Sequence, residues 1–157
     1  MTQGRVVAIG VGNLDRGDDA AGREVARRLR AAGESHAEII ELDGEATRIL
    51  SALEGAEAAF LIDACFSGAT AGAIHRFDAA EGLPATATFG LSSHGFGLAE
   101  AVELAKALGA LPLRCIVYAI EGESFDIGGP VSAAVTRAIE EVAMHVRDEI
   151  LALPRHK

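Results

Sequence analysis

Hydrophobic and polar positions along this chain follow two periods, one typical of buried strands and one typical of amphipathic helices. Short, nearly continuous apolar runs predict five strands: Val6–Val11, Glu38–Leu42, Ala58–Ile62, Ile74–Phe77 and Leu113–Ala119. Helical spacing predicts four helices: one capped by Asp18 and ended by Gly33, then Thr47–Leu53, Phe96–Leu108, and a long last helix begun by Pro130. That last helix carries one apolar stripe: Val131, Val135, Ile139, Val142, Val146, Ile150 and Leu153. Residues 81–93 are expected to form a loop.

Alternation of strands and helices predicts an α/β fold, a three-layer αβα sandwich with a five-stranded, mostly parallel sheet. The strand Ile74–Phe77 is the expected exception. Its connection to the preceding strand is shorter than the dozen or more residues that a parallel crossover needs, so we expect it to run antiparallel to its neighbour. The first and third strands are commonly adjacent in such sheets. We expect residues 1–157 to form a single domain.

Composition and charge narrow the classes of function. The net charge of −9 argues against a nucleic-acid partner, and the cluster Arg23, Arg27, Arg28 and Arg30 fits a solvated helix face. No apolar stretch approaches the roughly 20 residues of a membrane helix, and the N-terminus lacks a signal-peptide pattern. Cys65 and Cys115, both in apolar strand-like contexts, are expected to be buried free thiols. We therefore expect a cytoplasmic protein that does not act at a membrane.

Three residues at predicted strand ends or in the loops beyond them carry the most suggestive chemistry. Asp19 lies in the loop after the first strand, Asp63 closes the third strand, and His94 precedes the Phe96–Leu108 helix. Two carboxylates and an imidazole suit a divalent transition metal. If the first and third strands are adjacent, Asp19 and Asp63 face the same crevice beyond their carboxyl ends. The pattern also allows two other interpretations. Asp19 can be an acid that caps a helix, and His94 can be an ordinary loop histidine.

Other enzymatic motifs are incomplete. A dinucleotide fingerprint starting at Gly10 and Gly12 would need a third glycine where Asp15 stands. The chain has no Gly-x-Ser-x-Gly elbow, no Cys-x-x-Cys and no His-Glu-x-x-His motif. Ser92 and Ser93 beside His94 do not form a catalytic arrangement by adjacency alone. A nucleotide-binding enzyme and a serine hydrolase are therefore disfavoured.

The ordered motifs of this chain resemble those of the [NiFe]-hydrogenase maturation endopeptidases, which trim the C-terminal extension from a hydrogenase large-subunit precursor. The matching segments, in chain order, are Gly10-Val11-Gly12-Asn13, Asp18-Asp19, Gly22, Leu42-Asp43-Gly44, Leu61-Ile62-Asp63-Ala64, Ile74-His75-Arg76-Phe77, Ser93-His94-Gly95-Phe96-Gly97-Leu98 and Ala119-Ile120-Glu121-Gly122. Their order and spacing hold from about Arg5 to about His145, nearly the whole chain.

The resemblance implies roles for the three candidate residues. Asp19, Asp63 and His94 match the family's metal-binding positions and would recognise nickel already inserted in the precursor. The same three residues would lie at the scissile peptide as the catalytic site. Nickel then arrives with the substrate, and no permanently bound cofactor is expected. Asp18 would remain the helix cap, and Asp43 with Gly44 would line the cleft.

Two departures from the family pattern stand out. Asp19 occupies a position where the family often has glutamate, which is longer by one methylene. Val131-Ser132-Ala133 replaces the family's Leu-Ser-Pro, with the proline shifted to Pro130. Two other functions remain open at this point: a non-catalytic, flavodoxin-like module that binds a metal or small ligand at the same crevice, and a protease of this family with another substrate.

Overall fold

The computed structural model of the chain describes residues 4–84, 88–89 and 97–154. The strands are β1 (Arg5–Val11), β2 (Glu38–Leu42), β3 (Ala56–Phe66), β4 (Ile74–Asp78), β5 (Thr88–Phe89) and β6 (Arg114–Glu121). The helices are α1 (Ala21–Ala31), α2 (Ala46–Leu53), α3 (Leu98–Ala107) and α4 (Ala133–Ala152), with short 3₁₀ turns at Gly17–Ala20 and Ala79–Glu81. Within these described ranges, no helix has both the length and the apolar character needed to cross a bilayer.

The sheet confirms the predicted α/β architecture. Its main path runs β2-β1-β3-β6-β4, with β1, β2, β3 and β6 parallel. β4 is antiparallel, as expected, and its neighbour is β6. Buried side chains form one cluster under α2 and α3 and a second cluster under α1 and α4 on the other face of the sheet. The sheet is therefore the middle layer of an αβα sandwich.

Three local predictions need correction. The segment 81–93, expected to be loop, contains β5, which pairs antiparallel with β3 through Cys65 and Phe66. Asp63 does not close its strand, because pairing with β6 continues to Cys65 and pairing with β5 continues to Phe66. The last helix begins at Ala133, since Ser132 keeps an extended backbone and occupies the N-cap position. Pro130 lies upstream of the helix.

The start of α1 lies directly on the sheet because two glycines face each other there. A Cβ atom on Gly22 would lie less than 3.0 Å from the carbonyl oxygens of Val11 and Ile62, and one on Gly10 less than 3.0 Å from the Gly22 carbonyl oxygen. Only residues without a side chain allow this approach between helix and sheet backbones. The contact holds the preceding turn, which contains Asp18 and Asp19, at the carboxyl ends of β1 and β3.

The basic cluster on α1 is an ion-paired surface. Arg23, Arg27 and Arg30 all contact the Glu41 carboxylate of β2 at 2.7–3.1 Å. Although burial raises the pKa of Glu41, hydrogen bonds from the three guanidinium groups lower it to about 2. The predicted solvated face of the first helix thus carries arginines that pair with a carboxylate of the neighbouring strand.

Candidate functional site

Asp19 lies in the 3₁₀ turn that follows β1, and its side chain is 4% exposed. Its Oδ2 accepts a hydrogen bond from the Asn13 backbone N–H at 3.1 Å, and its own N–H donates to the Arg16 carbonyl at 3.0 Å. Gly12 makes this compact loop possible, because a Cβ atom there would collide with the Asp19 carbonyl oxygen. The carboxylate is thereby fixed beyond the end of β1.

Asp63 lies on β3 where the strand changes neighbours. Pairing with β1 ends at Gly10–Ile62, and pairing with β5 begins at Cys65. Asp63 therefore lies just past the last pair of the β1–β3 ladder, on the edge that the turn of Asp19 covers. Its side chain is 1% exposed, and its Oδ1 accepts a hydrogen bond from the Ala64 N–H at 2.7 Å.

The two carboxylates influence each other electrostatically. Burial raises the pKa of Asp63 well above its ordinary value, and the negative charge of Asp19 raises it further, against the opposing effect of the Ala64 N–H. Two buried carboxylates near each other resist double ionisation, and a cation between such groups relieves that cost. This pair is therefore suited to hold a proton or a metal ion.

His94, the third candidate residue, lies outside the described residues, and its place beside the carboxylates stays a prediction. Asp43 follows β2 at the same edge of the sheet. Gly12 N–H donates to the Leu42 carbonyl at 3.0 Å, which ties the two loops together. Asp43 Oδ1 accepts from the Glu45 N–H at 3.2 Å, and its side chain is exposed.

Asp18 differs from its predicted role as the cap of the following helix. Its carboxylate, fully buried, accepts hydrogen bonds from the backbone N–H groups of Glu123, Ser124 and Ser132 at 2.7–3.1 Å and from the Ser132 hydroxyl at 3.0 Å. Four donors from the loop between β6 and α4 thus replace the local cap. Asp18 connects the turn of Asp19 to the start of α4, and sequence spacing gave no sign of this long-range contact.

Asp18→Asn is expected to lower the free energy of unfolding by about 2–4 kcal/mol, because an amide turns its own N–H groups toward buried donors. Urea unfolding followed by circular dichroism measures the change. The control is Asp126→Asn, an exposed aspartate of the same loop, for which a change within about 0.5 kcal/mol is expected. Equal changes in the free energy of unfolding for the two substitutions would contradict a stabilising connection through Asp18 between the turn of Asp19 and the start of α4.

A second polar cluster, which the sequence analysis did not predict, surrounds Glu121. It reaches β3 at Cys65, two residues beyond Asp63. Glu121 at the end of β6 is fully buried, and its carboxylate contacts Cys65 Sγ at 3.5 Å, His75 Nε2 at 3.2 Å and both the N–H and the hydroxyl of Ser67. Although burial raises the pKa of Glu121, the hydrogen bonds of Ser67, His75 and Cys65 lower it overall. An acid after an apolar strand was the available signal, the same one that drew attention to Asp63.

A cavity of about 380 Å³ opens at the other end of the sheet, at the amino ends of the parallel strands. Val6, Ala58 and Arg114 from β1, β3 and β6 line it, together with Ile150 of α4. It is therefore separate from the edge that carries Asp19 and Asp63.

Two comparisons with known proteins agree with each other, one with a family model and one with solved structures. A family model described as hydrogenase maturation protease (HycI) matches residues 23–149. The matched segment includes Asp63 and begins four residues after Asp19 (23−19). A search of curated proteins found no match.

Solved structures with the same fold cover nearly the whole chain. The [NiFe] hydrogenase maturation protease HybD from Thermococcus kodakarensis is 21% identical with a TM-score of 0.72, covering 93% of this chain and 99% of that one. HybD from E. coli is 19% identical with a TM-score of 0.66, covering 92% and 93%. An endopeptidase from Escherichia coli, also 19% identical, has a TM-score of 0.75 and 96% coverage of both chains.

Proposed function

Since the chain belongs to the hydrogenase maturation protease family and is a peptidase, we propose that it removes the C-terminal extension of a [NiFe]-hydrogenase large-subunit precursor. Cleavage follows nickel insertion, and the bound nickel is the feature that the enzyme recognises. The reaction takes place in the cytoplasm, a reducing compartment that suits the two buried free thiols.

One observation supports this proposal above the others: two buried carboxylates lie at the same sheet edge. Asp19 and Asp63 come from different elements, yet each is at least 96% buried, and the charge of one raises the pKa of the other. Such a pair is costly to maintain in a folded protein. A cation delivered by the substrate offsets that cost at the moment of docking.

Nickel in this scheme belongs to the substrate. Asp19 and Asp63 supply carboxylate oxygens and His94 supplies an imidazole nitrogen, a mixed oxygen and nitrogen set that transition metals accept. Three ligands leave coordination positions for the precursor's own nickel ligands. Docking through the metal then brings the scissile peptide beside the same three residues.

Hydrolysis at this site requires an activated water and a polarised carbonyl. Nickel of the substrate can polarise the carbonyl as a Lewis acid, and a carboxylate of the pair can accept the proton of the attacking water. Asp63 is suited to proton transfer because burial, and after it the charge of Asp19, raise its pKa well above the ordinary value of an aspartate. The two carboxylates that take part, Asp19 and Asp63, are already positioned by the fold.

The proposal is tested by incubating the protein with nickel-loaded and with nickel-free precursor and following the mass of the large subunit. We expect trimming of the nickel-loaded form only. Equal trimming of both forms would contradict nickel recognition. Trimming of neither form would contradict this substrate and favour a binding module, or a protease acting on another protein.

A matched pair of histidine variants serves as the control in the same assay. His94→Ala is expected to reduce trimming of nickel-loaded precursor to background. His145→Ala alters an exposed histidine on α4 that stacks on Tyr118, remote from the sheet edge, and should trim at the normal rate. Normal trimming by the His94 variant would show that the site assignment is wrong.

A further inference from the structure

The cluster around Glu121 brings three different metal-binding groups to one point. Cys65 on β3, His75 on β4 and Glu121 on β6 each offer one ligand atom, and these atoms all lie within 4.8 Å of one another. Strand pairing explains the convergence, since Cys65 is directly opposite Glu121 in the β3–β6 ladder and β4 runs along the other side of β6. No ligand of this set is shared with Asp19 and Asp63.

Two of the three distances between these atoms agree with those around a tetrahedral zinc ion. Bonds of about 2.3 Å to sulfur and about 2.0–2.1 Å to nitrogen and oxygen give a sulfur–oxygen separation of roughly 3.5 Å and a nitrogen–oxygen separation of roughly 3.3 Å. The structure has Cys65 Sγ at 3.5 Å and His75 Nε2 at 3.2 Å from Glu121 Oε1. The third pair, the Cys65 sulfur and the imidazole nitrogen, lies within 4.8 Å, and an ion is held once this distance closes to roughly 3.5 Å.

The surroundings of Glu121 resemble the outer shell of a metal site. Ser67 donates its backbone N–H to Oε2 at 2.9 Å and its hydroxyl to Oε1. Hydrogen bonds of this kind orient ligating carboxylates and are a regular part of metal centres. Glu121 is 0% exposed, whereas the side chain of His75 is 29% exposed, so an ion has access from the histidine side.

We propose that Cys65, His75 and Glu121 form a second metal site, selective for a thiophilic divalent cation of the zinc class, with water as the fourth ligand. A thiolate, an imidazole and a carboxylate together match the ligand types that zinc accepts. Loading replaces the thiol proton by the metal ion and moves the remaining imidazole proton to Nδ1, so one proton is released for each ion bound.

The location of this site gives it a connection to the candidate cleft. Cys65 and Asp63 are two residues apart on one strand and therefore face the same side of the sheet, with about 6.6–6.8 Å between their Cα atoms. An ion held there adds positive charge beside the Asp19–Asp63 pair. The site is nonetheless independent of the proposed protease reaction, because its ligands and its test require no precursor.

The test is a titration of the chelator-stripped, full-length protein with Co²⁺ in place of zinc. We expect one equivalent of Co²⁺ to produce a thiolate-to-cobalt charge-transfer band in the near ultraviolet, and Zn²⁺ to remove it. Cys65→Ser should abolish the band. His75→Ala and Glu121→Gln should weaken binding at least 100-fold, and Ser67→Ala about 10–100-fold, as for an outer-shell partner.

Two controls separate this site from the rest of the molecule. Cys115→Ser removes the other buried thiol, and Asp63→Asn removes a carboxylate of the cleft; both should keep the band. A titration without a thiolate band, or a band that survives Cys65→Ser, would overturn the proposal and leave the cluster as a hydrogen-bonded network. His75→Ala changes a partly exposed side chain, so it keeps the test decisive if Glu121→Gln does not fold.

Discussion

Asp63→Asn is expected to abolish trimming of the nickel-loaded precursor and yet to stabilise the protein at neutral pH. On the proposed function, this variant lacks a metal ligand and a proton acceptor, so activity should fall to background. The native state then has neither to bury a second charge beside Asp19 nor to keep a proton that the unfolded chain releases. We expect the free energy of unfolding at pH 7 to rise on the order of 1–2 kcal/mol.

The pH dependence of this gain follows from the direction of the Asp63 pKa shift. Because the pKa is raised in the folded state, native Asp63 keeps a proton at pH values where the unfolded chain has released it. The stability contribution of this group is present below the unfolded pKa of about 3.9 and is lost as pH rises through the folded pKa. The asparagine variant lacks this loss. The difference in the free energy of unfolding between the variant and the wild type should therefore grow with pH and then level off.

Urea unfolding between pH 4 and pH 8 measures both curves, with Asp148→Asn as a control for the change in net charge. Asp148 is an exposed residue of α4, and its variant should follow the wild-type profile. If the free energies of unfolding of the Asp63 variant and the wild type differed by the same amount at every pH in this range, the buried carboxylate pair would not be the source of the effect.

Gly22→Ala is expected to cause a large loss of stability. The new Cβ would lie less than 3.0 Å from the carbonyl oxygens of Val11 and Ile62, which are backbone atoms of the central strands. The better helix propensity of alanine, worth about 1 kcal/mol, is smaller than the cost of moving α1 off the sheet. A net loss of about 3 kcal/mol or more should appear in urea unfolding, together with loss of trimming.

Gly33→Ala is the matched control near the end of the same helix. An added Cβ meets no atom within 4 Å among the described residues, and the strain comes only from the backbone angle φ of +77°. A loss of about 1 kcal/mol is expected there. If Gly22→Ala cost no more than this, the close approach of α1 to the sheet would not be what holds Asp19 in place.

The order of elements was predictable because strand and helix periods are local properties of the sequence. The antiparallel direction of β4 followed from a short connection, and the adjacency of β1 and β3 followed from general sheet topology. The pairing of β5 with Cys65 and Phe66 could not be foreseen, since two residues carry no recognisable period. The partners of Asp18 and Glu121 were also hidden, because side chains that meet 46–114 residues apart leave no local pattern.

The hydrogen bonds of Asp18 also bear on the order in which this protein is made. The turn that carries Asp19 is secured by donors 105, 106 and 114 residues further along the chain. A chain emerging from the ribosome can form β1, β2 and β3 long before Ser132 has been synthesised. The donors that fix the acidic edge of the sheet are therefore missing until residues 123, 124 and 132 have been synthesised.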